Sequence, residues 1–182
     1  MTSKFPTPPL ADVLPEEAFE TVETRDGIPT AQVPADRLVE VCRLLRDDPR
    51  LQFSVCLDVT AVDSHPRTPR FAVVYHLVSP DQRFTLRLRV VADDRTPEVP
   101  TISGIWRSAD WQEREVWEMF GIVFTGHPSL GRLVTPDDWE GHPLRKDYPV
   151  QVKLPVKTYE PLQLTEEEFR ANVEADRRRR AQ

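Results

Sequence analysis

The chain has 182 residues, 39% of them apolar, enough to bury one sizeable core, and its net charge of -6 with pI ≈ 5.3 excludes the broad basic surface that nucleic-acid binding draws on. Its two cysteines supply neither a disulfide framework nor the four ligands of an iron–sulfur centre, and they suggest a reducing compartment; no stretch offers the roughly twenty apolar residues of a membrane span, and MTSKFPTPPL is no signal peptide. Eighteen prolines, about twice the usual share, favour loops and extended segments over a helical bundle.

Residues 1–14 are Pro-rich and predicted to be loose, with a short acidic helical turn at 15–19. Residues 20–24 and 30–33 form a predicted hairpin around Arg25-Asp26-Gly27. After Pro34, Leu38, Val41, Cys42 and Leu45 mark the core stripe of a helix over 35–47. The period then changes to two. Leu51, Phe53, Val55, Leu57 and Val59 alternate with Gln52, Ser54, Cys56, Asp58 and Thr60, which predicts a strand burying the first set. Residues 71–78 are apolar on both faces and belong at a sheet centre, and 84–90 alternate again after the turn Ser79-Pro80-Asp81-Gln82. These three strands make an antiparallel sheet covered by the 35–47 helix, and 93–100 read as a polar loop.

The next forty residues hold three of the four tryptophans, two His-Pro dipeptides and dense charge. Asp110 and Glu113 have the spacing of a capping box; Glu113, Val116, Trp117 and Phe120 share a helix face; Arg114 and Glu118 can pair; Gly121 ends the helix before a brief strand or turn at 122–124. Prolines then recur every six to eight residues, biasing His127, His142 and Tyr148 away from helical backbone. Leu130, Leu133, Val134, Trp139, Leu144 and Tyr148 make this too apolar for a solvated linker, so it reads as an arm ordered by a surface on another polypeptide. Thr165 and Glu168 open a terminal helix that runs to the arginines 177–180. The fold class is α+β, two layers with a mainly antiparallel sheet. It divides into a loose 1–14, a globular 15–124, a docking arm 125–161 and a C-terminal helix 162–182.

Chemistry by this chain alone has little support. There is no Gly-rich phosphate loop and no nucleophile elbow. A metal hydrolase would join His127 and His142 to Glu115, Glu118, Asp137, Asp138 or Asp147, but no diagnostic ligand spacing is present, which favours structural or interface histidines. His76 in its apolar strand reads as a core residue. Glu113, Glu115 and Glu118 read as caps, ion-pair partners or partner contacts rather than an acid/base set. Arg145, Lys146 and Asp147 form a solvated turn on one reading. On the other, with Trp139, Leu144 and Tyr148, they form an interface of aromatic and arginine anchors.

The run EREVWEMFGIVFTGHPSLGRLVTPDDWEGHPLRKDYP resembles the signature of the 30 kDa or C subunit family of respiratory complex I, the NADH:quinone oxidoreductase. Glu113, Arg114, Glu115, Glu118, Met119, Phe120, His127, Leu133 and Val134 fit the family pattern. Gly131 departs from it, with the basic Arg132 one position later. The resemblance implies a subunit that binds no cofactor and carries no electrons, at the cytoplasmic face of a bacterial membrane and touching the membrane only through partners. Those partners would be the D subunit with the quinone site, the B and I subunits, and the G subunit, with FMN and iron–sulfur clusters in the partner subunits and NADH and quinone met only through the complex. It implies an interface carrying Glu113, Arg114, Glu115, Glu118, His127, Arg132, Trp139, His142, Leu144, Arg145, Lys146, Asp147 and Tyr148. A subunit of a membrane-bound hydrogenase, or of a dehydrogenase fed by another donor, is the alternative with the same architecture.

Overall fold

Three nine-residue strands with a two-residue period build the sheet: β3 (Val55–Asp63), β4 (Phe71–Ser79) and β5 (Phe84–Ala92). The computed structural model describes residues 6–149 and 165–180. Val73 faces Val90, Tyr75 faces Leu88 and Leu77 faces Leu86 across the antiparallel β4–β5 pair, so one face of the sheet is a continuous buried apolar layer. As expected from its two-sided apolar pattern, β4 lies between β3 and β5. The predicted hairpin exists as β1 (Glu20–Val22) and β2 (Thr30–Gln32), with Gly27 at φ 72° in the connecting loop. It joins the sheet by a parallel pairing of β2 with β5, giving the order β1-β2-β5-β4-β3.

Helix α1 (Leu38–Asp47), entered through a 3₁₀ turn at Ala35–Arg37, buries the predicted Leu38, Val41, Cys42 and Leu45 in the core shared with the sheet. Two expectations fail near it. Residues 6–14 are not loose, because the turn Leu10–Asp12 delivers Leu10 and Leu14 to that core. Strand β3 starts at Val55 rather than 51, and its register shifts between Cys56 and Asp58. The irregularity turns Cys56 inward and leaves Leu57 63% exposed, the reverse of strict alternation.

Helix α2 (Ser108–Phe120) packs on β3, where the Ser108 hydroxyl donates to the Cys56 carbonyl at 2.8 Å and Gln112 Nε2 to the Leu57 carbonyl at 3.0 Å. The helix begins two residues before the expected cap, so Asp110 lies in the first turn and Glu113 makes no capping box. Its C-terminus is as expected: Gly121 takes the left-handed conformation at φ 73°. Residues 98–100 are a strand rather than loop, β6 (Glu98–Pro100), paired in parallel with β7 (Val123–Thr125) as a separate two-stranded sheet.

Residues through Pro149 belong to one compact unit, and 150–182 form a second. The expected boundary before residue 125 therefore moves to Pro149; the remainder of the expected arm, 150–161, lies outside the described residues. In the second unit α3 (Glu166–Arg180) opens with reciprocal bonds, Glu168 N–H to the Thr165 hydroxyl at 3.3 Å and Thr165 N–H to the Glu168 carboxylate at 2.9 Å.

Candidate partner-binding surface

An α-helix ends with carbonyls that have no partner inside the helix, and the segment 125–149 supplies the partners for α2. The Gly121 N–H reaches the Trp117 carbonyl at 2.8 Å, His142 Nδ1–H the Glu118 carbonyl at 2.9 Å, the Leu144 N–H the Met119 carbonyl at 3.1 Å and Arg145 Nε–H the Phe120 carbonyl at 2.5 Å. A guanidinium here also suits the negative end of the helix dipole. Gly121 has a second role, because a Cβ at this position would collide with the His142 and Arg145 side chains.

Higher on the helix, the buried Glu118 carboxylate closes a clasp. It accepts the N–H groups of Leu133 (2.8 Å), Val134 (3.2 Å) and Thr135 (2.5 Å) and also the Thr135 hydroxyl. Burial pushes this carboxyl up, but the Thr135 and backbone donors outweigh it and hold Glu118 at about 2. The expected Arg114–Glu118 pair is therefore not formed. Arg114 Nε donates to the Gly131 carbonyl at 3.1 Å, and its guanidinium lies 5.0 Å from the Trp111 ring centroid. Arg132, beside the departing Gly131, donates to the Trp139 carbonyl at 2.8 Å and the Thr135 hydroxyl at 2.9 Å.

A second anchor ties the segment's end to the sheet. Asp63 follows Val59 and Ala61 on the inward side of β3, a charge where the period asks for an apolar residue. The Arg70 guanidinium forks onto it at 2.9 and 3.0 Å and onto Asp147 at 2.6 Å, while the Lys146 N–H donates to Asp63 at 2.9 Å. Arg70 holds the Asp63 carboxyl well below the usual carboxylate range. The rings of Trp139 and Tyr148 stack with centroids 6.3 Å apart. The expectation that this segment needs another polypeptide to order it is thus corrected for 125–149: its polar backbone and most of its large side chains are satisfied within the chain. Val134 and Leu144, 73% and 55% exposed, are the exceptions.

Glu113 and His127 meet at the other end of α2. Glu113 is fully buried, accepts from the Thr101 hydroxyl and, at 2.8 Å, from the Ile102 N–H, and is pushed up to about 7 by burial. His127, its side chain also buried, accepts the Ser129 N–H on Nδ1 at 3.1 Å and donates from Nε2 to the Asp110 carbonyl at 3.1 Å. Those partners assign the neutral tautomer. His127 and His142 therefore engage residues eight positions apart on α2, about 12 Å along its axis, and do not converge on one ion. Among the described residues no three His, Cys, Asp or Glu side chains are grouped as metal ligands. Cys42 and Cys56 are free and buried, Glu115 is exposed on α2, and His76 is half-buried, accepting from Arg87 Nε at 3.2 Å.

Of the sites predicted from sequence, the structure brings together Glu118, Arg132, His142 and Arg145 around the clasp and Glu113 with His127 beneath it. Glu115 and the Lys146 and Leu144 side chains face outward. Sequence reasoning missed Asp63 and Arg70, for which the signal was a charge ending an inward alternation, and Thr101, which carries no signal before its distant partner is known.

An α+β domain whose proline-rich segment is clasped to its own helix is a recognisable class, and its family can be stated. The model of the respiratory-chain NADH dehydrogenase 30 kDa subunit family matches residues 31–153, and the chain belongs to that family. The C subunit of the NADH-quinone oxidoreductase of Roseiflexus sp. (strain RS-1) is 46% identical over 141 residues, 78% of this chain and 80% of the relative. Its counterpart in Rhizobium etli (strain CIAT 652), the second of that organism's C subunits, is 44% identical over 135 residues, 74% of this chain and 72% of the relative. Among solved structures, a trypsin-resistant fragment of Nqo5 superposes with TM-score 0.52 at 30% identity, covering 62% of this chain and 89% of the fragment. A chain of the membrane-bound sulfane sulfur reductase, an archaeal respiratory membrane complex, gives TM-score 0.65 at 26% identity, covering 78% and 81%.

Proposed function

We propose that this chain is a structural subunit of the peripheral arm of a proton-translocating NADH:quinone oxidoreductase on the cytoplasmic face of a bacterial membrane. It holds the D subunit with the quinone site and the iron–sulfur B and I subunits in register, with the G subunit as a further neighbour. Electrons pass from NADH through FMN and iron–sulfur clusters in those partners to quinone; this chain binds none of these groups. Family membership supports the reading, and no helix among the described residues is long and apolar enough to cross a membrane, which fits attachment through partners. The observation that carries it is the clasped segment: anchored to α2 through its backbone, it presents Val134 and Leu144 outward on a fixed surface, so docking costs little ordering entropy.

Purification of the tagged chain from membranes in mild detergent tests this. The expected result is co-purification of flavin- and iron–sulfur-containing subunits with NADH-to-quinone activity; recovery of the chain without such partners overturns it. The likeness to the sulfane sulfur reductase complex supports a second reading, the equivalent subunit of a hydrogenase or other-donor complex. Co-purifying partners that contain nickel, or that lack an NADH-oxidising flavin subunit, would select it.

A further inference from the structure

Away from the clasp, a groove of about 650 Å³ runs between α1 and the start of α2. Two helical pairs face each other across it. Val39 and Arg43 are four apart on α1, and Arg107 and Trp111 are four apart at the entry to α2, so each pair shares a face. Trp111 is 62% exposed, with the Arg114 guanidinium over its ring, and Ile105 and Pro128 extend the apolar lining. Arg43 and Arg107 are exposed, and no ion pair or hydrogen bond of either side chain occurs among the described residues. The acid in the groove, Asp110, is engaged by His127 Nε2 at 3.2 Å.

We infer that this groove docks an acidic segment of a partner polypeptide, its carboxylates pairing with Arg43 and Arg107 and an apolar side chain packing on Trp111. The inference rests on the reading of this chain as a subunit of an assembly and adds the place and chemistry of one contact. Charge complementarity selects the occupant: the chain carries a net charge of -6, yet here it offers two uncommitted guanidinium groups beside a large exposed aromatic ring. Arginine and tryptophan are the side chains that concentrate binding energy at interfaces, and opposite charge across the contact sets register and association rate. A lipid surface fits less well, because membrane-binding basic patches gather about four to eight cations without an acid among them.

The test uses the chain inside its assembly. A photo-crosslinking amino acid placed at position 111 and activated in the purified complex should link to a peptide of a different polypeptide with two or more Asp or Glu near the linked residue. The R43E/R107E variant should reduce that linkage about tenfold or more at low salt, R43K/R107K should retain most of it, and the melting temperature of the chain should be unchanged, since both positions are exposed. Linkage to a basic or neutral segment, to a second copy of this chain, or to nothing in an intact assembly overturns the inference. So does loss of binding to phosphatidylglycerol vesicles in R43E/R107E without any peptide link. An intact assembly with no acidic link refutes the groove alone, whereas failure of wild-type chain to co-purify with any respiratory partner refutes the function on which it rests.

Discussion

Glu113 and Glu118 lie five residues apart on one helix with both carboxyls buried, yet one is pushed up to about 7 and the other held at about 2. Burial acts upward on both. The difference is donor supply: Glu118 collects three backbone N–H groups and a hydroxyl from Leu133, Val134 and Thr135, whereas Glu113 has the Thr101 hydroxyl and the Ile102 N–H, and the nearby Asp110 adds repulsion. A buried carboxylate stabilises a fold when the backbone is arranged around it and burdens the fold when it is not. In this molecule the arrangement around Glu118 is the attachment of residues 133–135 to α2.

The strongest way to break the contrast is to remove Glu118. Glu118→Ala leaves the Leu133, Val134 and Thr135 donors without their acceptor and should cost roughly 3–5 kcal/mol in urea unfolding, with faster amide exchange at 133–135. Unchanged exchange there would show that the segment is held by its other contacts. The next effect is a pH dependence of opposite sign. Glu113 has a folded value of about 7, above its unfolded value of about 4.5, so the unfolded chain releases its proton first and stability falls as pH rises from 4.5 through 7, by about 3 kcal/mol in all. Glu113→Gln should flatten that slope and leave the protein more stable than wild type at pH 8; an unaltered slope would assign it to another group. Glu118 behaves conversely: its contribution is complete above about 4.5 and is lost as pH falls through 2, so a wild-type minus Glu118→Gln difference should vanish only in acid.

The smallest expected effects separate neighbours. Arg145→Ala removes a bond to the Phe120 carbonyl and a guanidinium 5.2 Å from the Phe71 ring centroid, and should cost roughly 1–2 kcal/mol, whereas Lys146→Ala, with its side chain exposed, should stay within about 0.5 kcal/mol. From sequence both residues were interface contacts; the melting curves of the two variants test whether Arg145 is also part of the fold.

The elements that repeat with a clean period were legible without a structure. The two-sided apolar run of β4, the α1 stripe of Leu38, Val41, Cys42 and Leu45, and Gly121 as a helix stop are local patterns with one physical reading each. The start of α2 was misplaced because Asp110 and Glu113 carry capping-box spacing, while the carboxyl of Glu113 is drawn instead to Thr101 and Ile102 across the chain. The irregularity in β3 was invisible for a similar reason: alternation says which residues are apolar, not where the ladder slips.

The arm shows the same limit. Its apolar content correctly required a surface to cover it, since Leu133, Trp139 and Tyr148 do not remain solvated in a linker. Composition, however, is blind to whose surface that is. The carbonyls of Glu118, Met119 and Phe120 and the carboxylates of Glu118 and Asp63 are unsatisfied until the tertiary structure brings residues 133–147 to them. Sequence by itself determined the mixed α+β class, the family signature and the need for burial, because periodicity and residue chemistry are short-range properties. The parallel pairing of β2 with β5, the opposite fates of two glutamates and the capture of the segment by its own helix were decided only in three dimensions, because each depends on hydrogen-bond partners far away along the chain.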